Sequence, residues 1–325
     1  MKLALVAAVL SIATLARADE PLTLEDVLDE PGAPGENAEL APVPTNGSVT
    51  SAPSGVAPPG PAGVTPPRPA ARLATAPQRT RERIKDDGEG RLEKTEDEVA
   101  GGKHWRIKTA QGSVHVWAPE GYDRETAGTV IYVHGYWTDS DGAWREHQLA
   151  KQFRASRQNA LFIVPDAPSS NEDHVKWPAL KDLRKAVARA NIRIPDGPTI
   201  VMGHSGAFRT VMQWVDHRAV AQIILLDAMY SGERKFDEFI ASGKRADDHK
   251  LIVVGAGTAQ SSAAFVKQYK FAVAREKMPD GVWGFTKRER GAKLLYIHSQ
   301  YEHMAIVTGK KVIPTLLRVT PLKAL

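Results

Sequence analysis

Residues 199–207 read Thr199-Ile200-Val201-Met202-Gly203-His204-Ser205-Gly206-Ala207. An apolar run of buried-strand character enters Gly-x-Ser-x-Ala and passes at once into 207–216, whose spacing is helical. A serine on such a strand-to-helix turn is lifted out of the sheet with its hydroxyl exposed. Small residues two before and two after it let strand and helix approach each other. Composition alone produces a Gly-x-Ser-x-small match in about a third of chains of this length, so the flanking strand and helix carry the weight.

Outward from this turn the pattern repeats. Apolar strands are expected at 113–118, 129–134, 160–165, 221–227, 250–255 and 293–298, and helices at 143–156, 179–191, 261–274 and 307–318. Continuous apolar strands, each followed by an amphipathic stretch, predict a mostly parallel sheet covered by helices on both faces. In an open parallel sheet the chemistry lies at the carboxyl ends of the strands. The residues to read are therefore those that follow each strand.

After the strand at 129–134 comes His134-Gly135-Tyr136-Trp137. The backbone N–H groups of Tyr136 and Gly206 can converge on a developing oxyanion. His134 and Gly135 also fit a plain strand end and turn. Trp137, on a loop, is a candidate substrate contact; Tyr136 shares that position, whereas Trp144 fits core packing equally well. After 221–226 comes Asp227, a carboxylate at the mouth of the sheet that an imidazole would suit. The next strand ends in Gly255-Ala256-Gly257-Thr258, which carries no acid, so the acid is expected from Asp227. The same glycines resemble the start of a dinucleotide fingerprint, but Gln260 stands where its third glycine belongs. His298 ends the last strand and His303 lies in the loop beyond it. A base that must swing toward both Ser and Asp is better placed at His303. A two-histidine metal site is poorly supported by this five-residue gap without paired carboxylates.

Ser205, Asp227 and His303, in that chain order and with His-Gly after an earlier strand, resemble the α/β-hydrolase superfamily over about residues 110–320. Two departures are Ala207 for the usual final glycine and an acid one strand earlier than in many members. The resemblance implies a single α/β-hydrolase-type domain with a short or absent lid and no cofactor or metal. It implies a serine hydrolase in which Ser205 attacks an acyl carbonyl, His303 takes its proton and Asp227 holds the imidazole. The connection from Asp227 to the next strand is short, which favours an open site and a small-molecule or surface-borne ester. A peptidase or amidase of the same fold would use the same residues, and a non-catalytic binding protein could keep the scaffold.

The rest of the chain is chemically different. Residues 1–100 hold 10 basic and 16 acidic residues, net −6; residues 101–325 hold 33 and 22, net +11. Lys2, an apolar run at 3–15 and Ala16-Arg17-Ala18 read as a signal peptide over 1–18, with export to the periplasm or beyond. An apolar run of this length is too short for a stable transmembrane anchor. Residues 19–78 are acidic, then Pro/Ala/Gly-rich, and read as a disordered linker; 79–103 read as a charged, partly helical lead-in to a hydrolase domain at 104–325. The absence of cysteine excludes disulfides, thiolate metal sites and a Cys nucleophile. The basic domain is expected to favour an anionic envelope surface, although Lys181, Arg184, Lys185 and Arg189 also fit an ordinary solvated helix face. No nucleic-acid reader motif is present.

Overall fold

A computed structural model describes residues 80–84 and 92–325. The segments read as signal peptide and linker, 1–18 and 19–78, lie outside the described residues. The strands are β1 (Thr80–Ile84), β2 (Leu92–Val99), β3 (Gly102–Thr109), β4 (Gly112–Pro119), β5 (Gly128–Val133), β6 (Ala160–Pro165), β7 (Thr199–His204), β8 (Val220–Leu226), β9 (Lys250–Gly255), β10 (Val273–Arg275) and β11 (Leu294–His298). They form one sheet in the order β1-β2-β3-β4-β6-β5-β7-β8-β9-β11-β10. The first four strands and β6 pair antiparallel, and every pair from β6 through β5 to β10 is parallel.

The two halves of the sheet follow from their sequences. In β5, β6 and β7 every residue is buried, as strands covered on both faces require. In β2 and β3 charged residues interleave with Leu92, His104 and Ile107, which suits a meander with a wetter face. The charged stretch at 79–103, expected as a partly helical lead-in, thus supplies strands.

Helices cover both faces. On one, Ile131, Val201, Leu225 and Val253 meet Leu183 and Val187 of α3 (Leu180–Arg189), Phe236 and Ile240 of α5 (Glu233–Ala241), and Phe265 of α6 (Ala259–Val266). On the other, Val130, Phe162, Met202 and Ile224 meet Ala143 of α1 (Ser140–Glu146), Phe153 of α2 (Leu149–Ser156), and Leu316 of α9 (Val312–Leu317). The single helix expected at 143–156 is two helices, because Gln148 takes a left-handed φ of 50° between them. The helix expected at 207–216 is a 3-10 turn (Ser205–Ala207) and a short α4 (Phe208–Val211). The helix expected at 307–318 breaks between α8 (Ala305–Thr308) and α9, where Lys310 has φ 60°. Apolar spacing survives each break because both pieces pack on the same sheet face. Short α7 (Lys287–Gly291) opens on a Thr286/Glu289 capping box. Among the described residues no helix is long and apolar enough to cross a membrane.

Candidate active site

Ser205 stands at the carboxyl end of β7 with φ 52°, a conformation costly for a non-glycine residue. The small neighbours explain how the turn is held. A Cβ on Gly203 would lie 2.8 Å from Val211 Cγ2 and 3.3 Å from Ala207 Cβ. Ala207 therefore fits where glycine is usual, because Gly203 concedes the space opposite. A Cβ on Gly206 would strike the ring of Tyr136 at 2.4 Å.

His134 sets the orientation of the peptide before Tyr136. Its Nε2 accepts the Ala167 N–H at 2.9 Å, so its proton lies on Nδ1, which donates to the Gly135 carbonyl at 2.8 Å. A trans peptide directs C=O and N–H oppositely. Pinning the Gly135 oxygen therefore turns the Tyr136 N–H the other way. The Tyr136 phenol accepts from Arg209 Nη1 at 3.2 Å, and the same guanidinium donates to the Ser170, Asn171 and Asp173 carbonyls. Arg209, one helical turn beyond Ser205, thus fastens the Tyr136 ring and the 169–173 loop together.

Asp227 directly follows β8, also at positive φ (49°), with no solvent exposure. Its Oδ2 accepts from His303 Nδ1 at 2.6 Å and from the Gly257 N–H at 3.0 Å. Its Oδ1 accepts from the Ala256 and Thr258 N–H groups and the Thr258 hydroxyl at 2.7–2.9 Å. Burial alone would raise this carboxyl's pKa, but His303 and these donors outweigh it and hold it well below the usual carboxylate range. The glycine-rich stretch at 255–258 is therefore a nest of donors for a carboxylate from the neighbouring strand. That use accounts for both its glycines and its lack of an acid.

The histidine paired with Asp227 is His303, whereas His298 is exposed at the end of β11. Beneath His303 lies His204, ring centroids 4.5 Å apart, whose Nε2 donates to the His303 carbonyl at 3.2 Å. Burial and the neighbouring His303 hold His204 down to about 3, so it is neutral. Tyr230, three residues beyond Asp227, lies close to the Ser205 side chain, and burial raises its phenol pKa. His204, Arg209, Thr258 and Tyr230 were not singled out from the sequence. The unassigned middle residue of Gly-x-Ser and the acid-free loop after β9 were the available signals.

Trp137 is 91% exposed at φ 67°, with its N–H on the Ser169 carbonyl. It stands exposed on the Tyr136 loop. Trp144 lies elsewhere, stacked within 5 Å on His104 and His115. Those two rings are joined at 2.9 Å and bounded by Asp97 and Asp141.

The model of the alpha/beta hydrolase family matches residues 130–305, more than half of the chain and every residue just placed around Ser205. The chain belongs to the alpha/beta hydrolase family. Among solved structures, S-formylglutathione hydrolase (FrmB) of Staphylococcus aureus is similar at 11% identity and TM-score 0.42, covering 67% of this chain and 96% of that one. The feruloyl esterase module of Clostridium thermocellum is similar at 12% identity and TM-score 0.45, covering 76% and 92%. A hyperthermophilic esterase of Pyrobaculum calidifontis is similar at 13% and 0.41, covering 68% and 86%. The search of curated proteins gave no match.

Proposed function

We propose that the chain is an exported serine hydrolase that cleaves esters through an acyl-enzyme. The observation that supports this most directly is the buried Asp227 on His303 Nδ1, together with a strained, small-flanked Ser205 at the end of the neighbouring strand. With Nδ1–H committed to Asp227, His303 Nε2 is the free acceptor, the tautomer a general base needs. Ser205 Oγ attacks the acyl carbonyl as its proton passes to His303 Nε2. The Tyr136 and Gly206 N–H groups receive the oxyanion. The imidazolium returns the proton to the leaving alkoxide, and water repeats the sequence to release the acid and restore Ser205.

Ester chemistry is favoured over amide chemistry by how open the site is. Tyr230 is 51% exposed and the His303 side chain 35%. An alkoxide departs with little help, whereas an amine must be protonated efficiently as it leaves, which water exclusion favours. Trp137 is positioned to contact the distal part of a bulky or surface-borne ester. Export rests on the signal-like 1–18.

Covalent labelling by a fluorophosphonate probe, abolished in Ser205→Ala, tests the mechanism. A wild-type protein that does not label would refute it. Turnover of short-chain p-nitrophenyl esters without turnover of peptide anilides is the expected substrate pattern, and the reverse would establish an amidase. Trp137→Ala is expected to lower kcat/KM for long acyl chains selectively. Equal values across chain lengths would remove Trp137 from substrate contact.

A further inference from the structure

The opposite end of the sheet holds a second concave feature. A cavity of about 1270 Å³ opens at the amino ends of β7 and β8. Its floor is small and apolar, with Ala188, Ile192, Ile194 and Pro198, and its walls are cationic. Lys181 and Arg184 come from α3, Arg193 from the following loop, Arg218 from the turn before β8 and Arg245 from the turn before β9. Asp196 is the one acidic residue among its lining. The helix-face cations that fit ordinary solvated charge are thus gathered into a hollow with others distant in sequence.

Two observations separate this hollow from a merely basic surface. Arg184 Nη1 is buried and has no hydrogen-bond partner among the described residues. A buried guanidinium donor without an acceptor is costly, and an anion that supplied one would relieve it. His217, also in the lining, is held below its ordinary pKa by burial and by Arg184 and Arg218. Its Nδ1 accepts the Ala219 N–H at 3.2 Å, which leaves Nε2 as the proton-bearing nitrogen. Arg184, Arg218 and His217 are thus held close together here, with Asp196 the opposing charge on Arg184.

We infer that this cavity is a binding site for a soluble oligophosphate, several phosphate groups on one compact ligand, separate from the hydrolytic site. Guanidinium forks match phosphate oxygens in geometry and charge, and four arginines line the hollow. Several cations around one cavity require a ligand of high charge density, which linked phosphates supply and a single carboxylate does not. No aromatic side chain except His217 lines it, so there is no platform on which nucleic-acid bases stack. None of the exposed large apolar side chains lines it either, which disfavours insertion into a lipid surface. β7 begins beside Pro198 at the cavity and ends at Ser205. Six residues at ~3.3 Å each set the two sites about 20 Å apart.

The test is calorimetric titration of the full chain with sodium tripolyphosphate. Saturable binding to one site is expected, weakening with salt. Arg184→Gln and Arg218→Gln are each expected to weaken it about tenfold or more, the loss of one charge-assisted contact. Lys267→Gln, outside the cavity, is expected to leave it unchanged. Bound phosphate is also expected to raise the His217 pKa in an NMR titration, because it cancels the Arg184 and Arg218 repulsion. Arg218 is exposed, so its variant keeps the test available if Arg184→Gln folds poorly. Hydrolysis of p-nitrophenyl acetate should be unaltered in both variants, so the site stands or falls apart from the esterase reading. Absence of saturable binding, equal binding by the Arg variants, or binding only to anionic vesicles or single-stranded RNA would overturn the inference.

Discussion

A Cβ placed on Gly135 would stand 2.8 Å from the Cβ of Ser205, so glycine at 135 is a condition for the serine turn to sit where it does. The nearest other atoms are the His204 carbonyl and Nδ1 at 3.0 and 3.2 Å, and none lies at the end of a flexible side chain. Gly135→Ala must therefore separate the oxyanion loop from the turn. A misplacement approaching 1 Å costs about 10²-fold in rate. We expect kcat/KM to fall by that order while the protein stays folded by circular dichroism. Near wild-type turnover would show that Tyr136 and Ser205 do not work as one unit.

Asp227→Asn is expected to keep the donor nest largely occupied but to present an amide to His303 Nδ1. The tautomer with a free Nε2 is then no longer enforced, and kcat should drop about 10³–10⁴-fold. An effect below about tenfold would move the acid role to another residue.

Tyr230 is a close neighbour of Ser205. Tyr230→Phe removes a hydroxyl that lies close to Ser205 and leaves the ring that meets Phe208 at 5.9 Å. A neutral hydrogen bond is worth about 1 kcal/mol, so a loss of about fivefold in kcat with unchanged KM is expected for a positioning role. A change in KM alone would place the phenol in substrate binding.

His204 and His147 are buried and neutral, held down to about 3 and about 4, in each case chiefly by burial. A histidine whose folded pKa lies below its unfolded value contributes stability that is full above about pH 6.5 and lost as pH falls toward the folded pKa. Each such proton tilts stability by about 1.4 kcal/mol per pH unit across that window. The urea midpoint should therefore fall steeply between pH 6.5 and 4.5, and less steeply in His204→Gln. An unchanged slope in the variant would show that His204 takes up its proton in the folded state.

Asp141 ties β4 to the helix that follows the oxyanion loop. It accepts both Arg106 Nε and Nη2, at 2.6 and 2.5 Å, and His115 Nε2 at 2.8 Å. Arg106 and His115 hold its carboxyl well below the usual range. Its stabilising effect is accordingly present above about pH 4 and lost as pH falls below that. Asp141 and Arg106 are each about a third exposed, so solvent screening limits the contribution to roughly 1 kcal/mol. Asp141→Asn should lower Tm by a few degrees at pH 7, with the difference shrinking at pH 3. A constant difference at both pH values would mean that packing, not charge, is lost.

Strand positions were legible because fully buried strands must be apolar along their whole length, as in Thr199–His204 and Lys250–Gly255. From those ends Ser205, Asp227 and His303 could be singled out. Helix breaks were less legible: Gln148 takes left-handed backbone with no adjacent glycine or proline, whereas the break at Lys310 was signalled by Gly309 before it and Pro314 after it. The first three antiparallel strands were hidden for another reason. Lys94, Glu96, Asp97 and Glu98 make β2 look like solvated charge until Trp105 and His104 are seen bonding Glu96 and Asp97 across the pair. Positioning residues such as His204 escaped because their partners, here a backbone carbonyl at His303, are far away in sequence.

The early meander also bears on how the protein should be handled. A fragment begun at His104 would cut β3 after two residues, remove β2 from its side and leave an open edge beside β4. Unpaired edges recruit other chains, so such a fragment would tend to aggregate. It would also lose Asp97, which bonds His104. Expression of the hydrolase alone should begin ahead of Thr80, with the charged strands retained as its protective border.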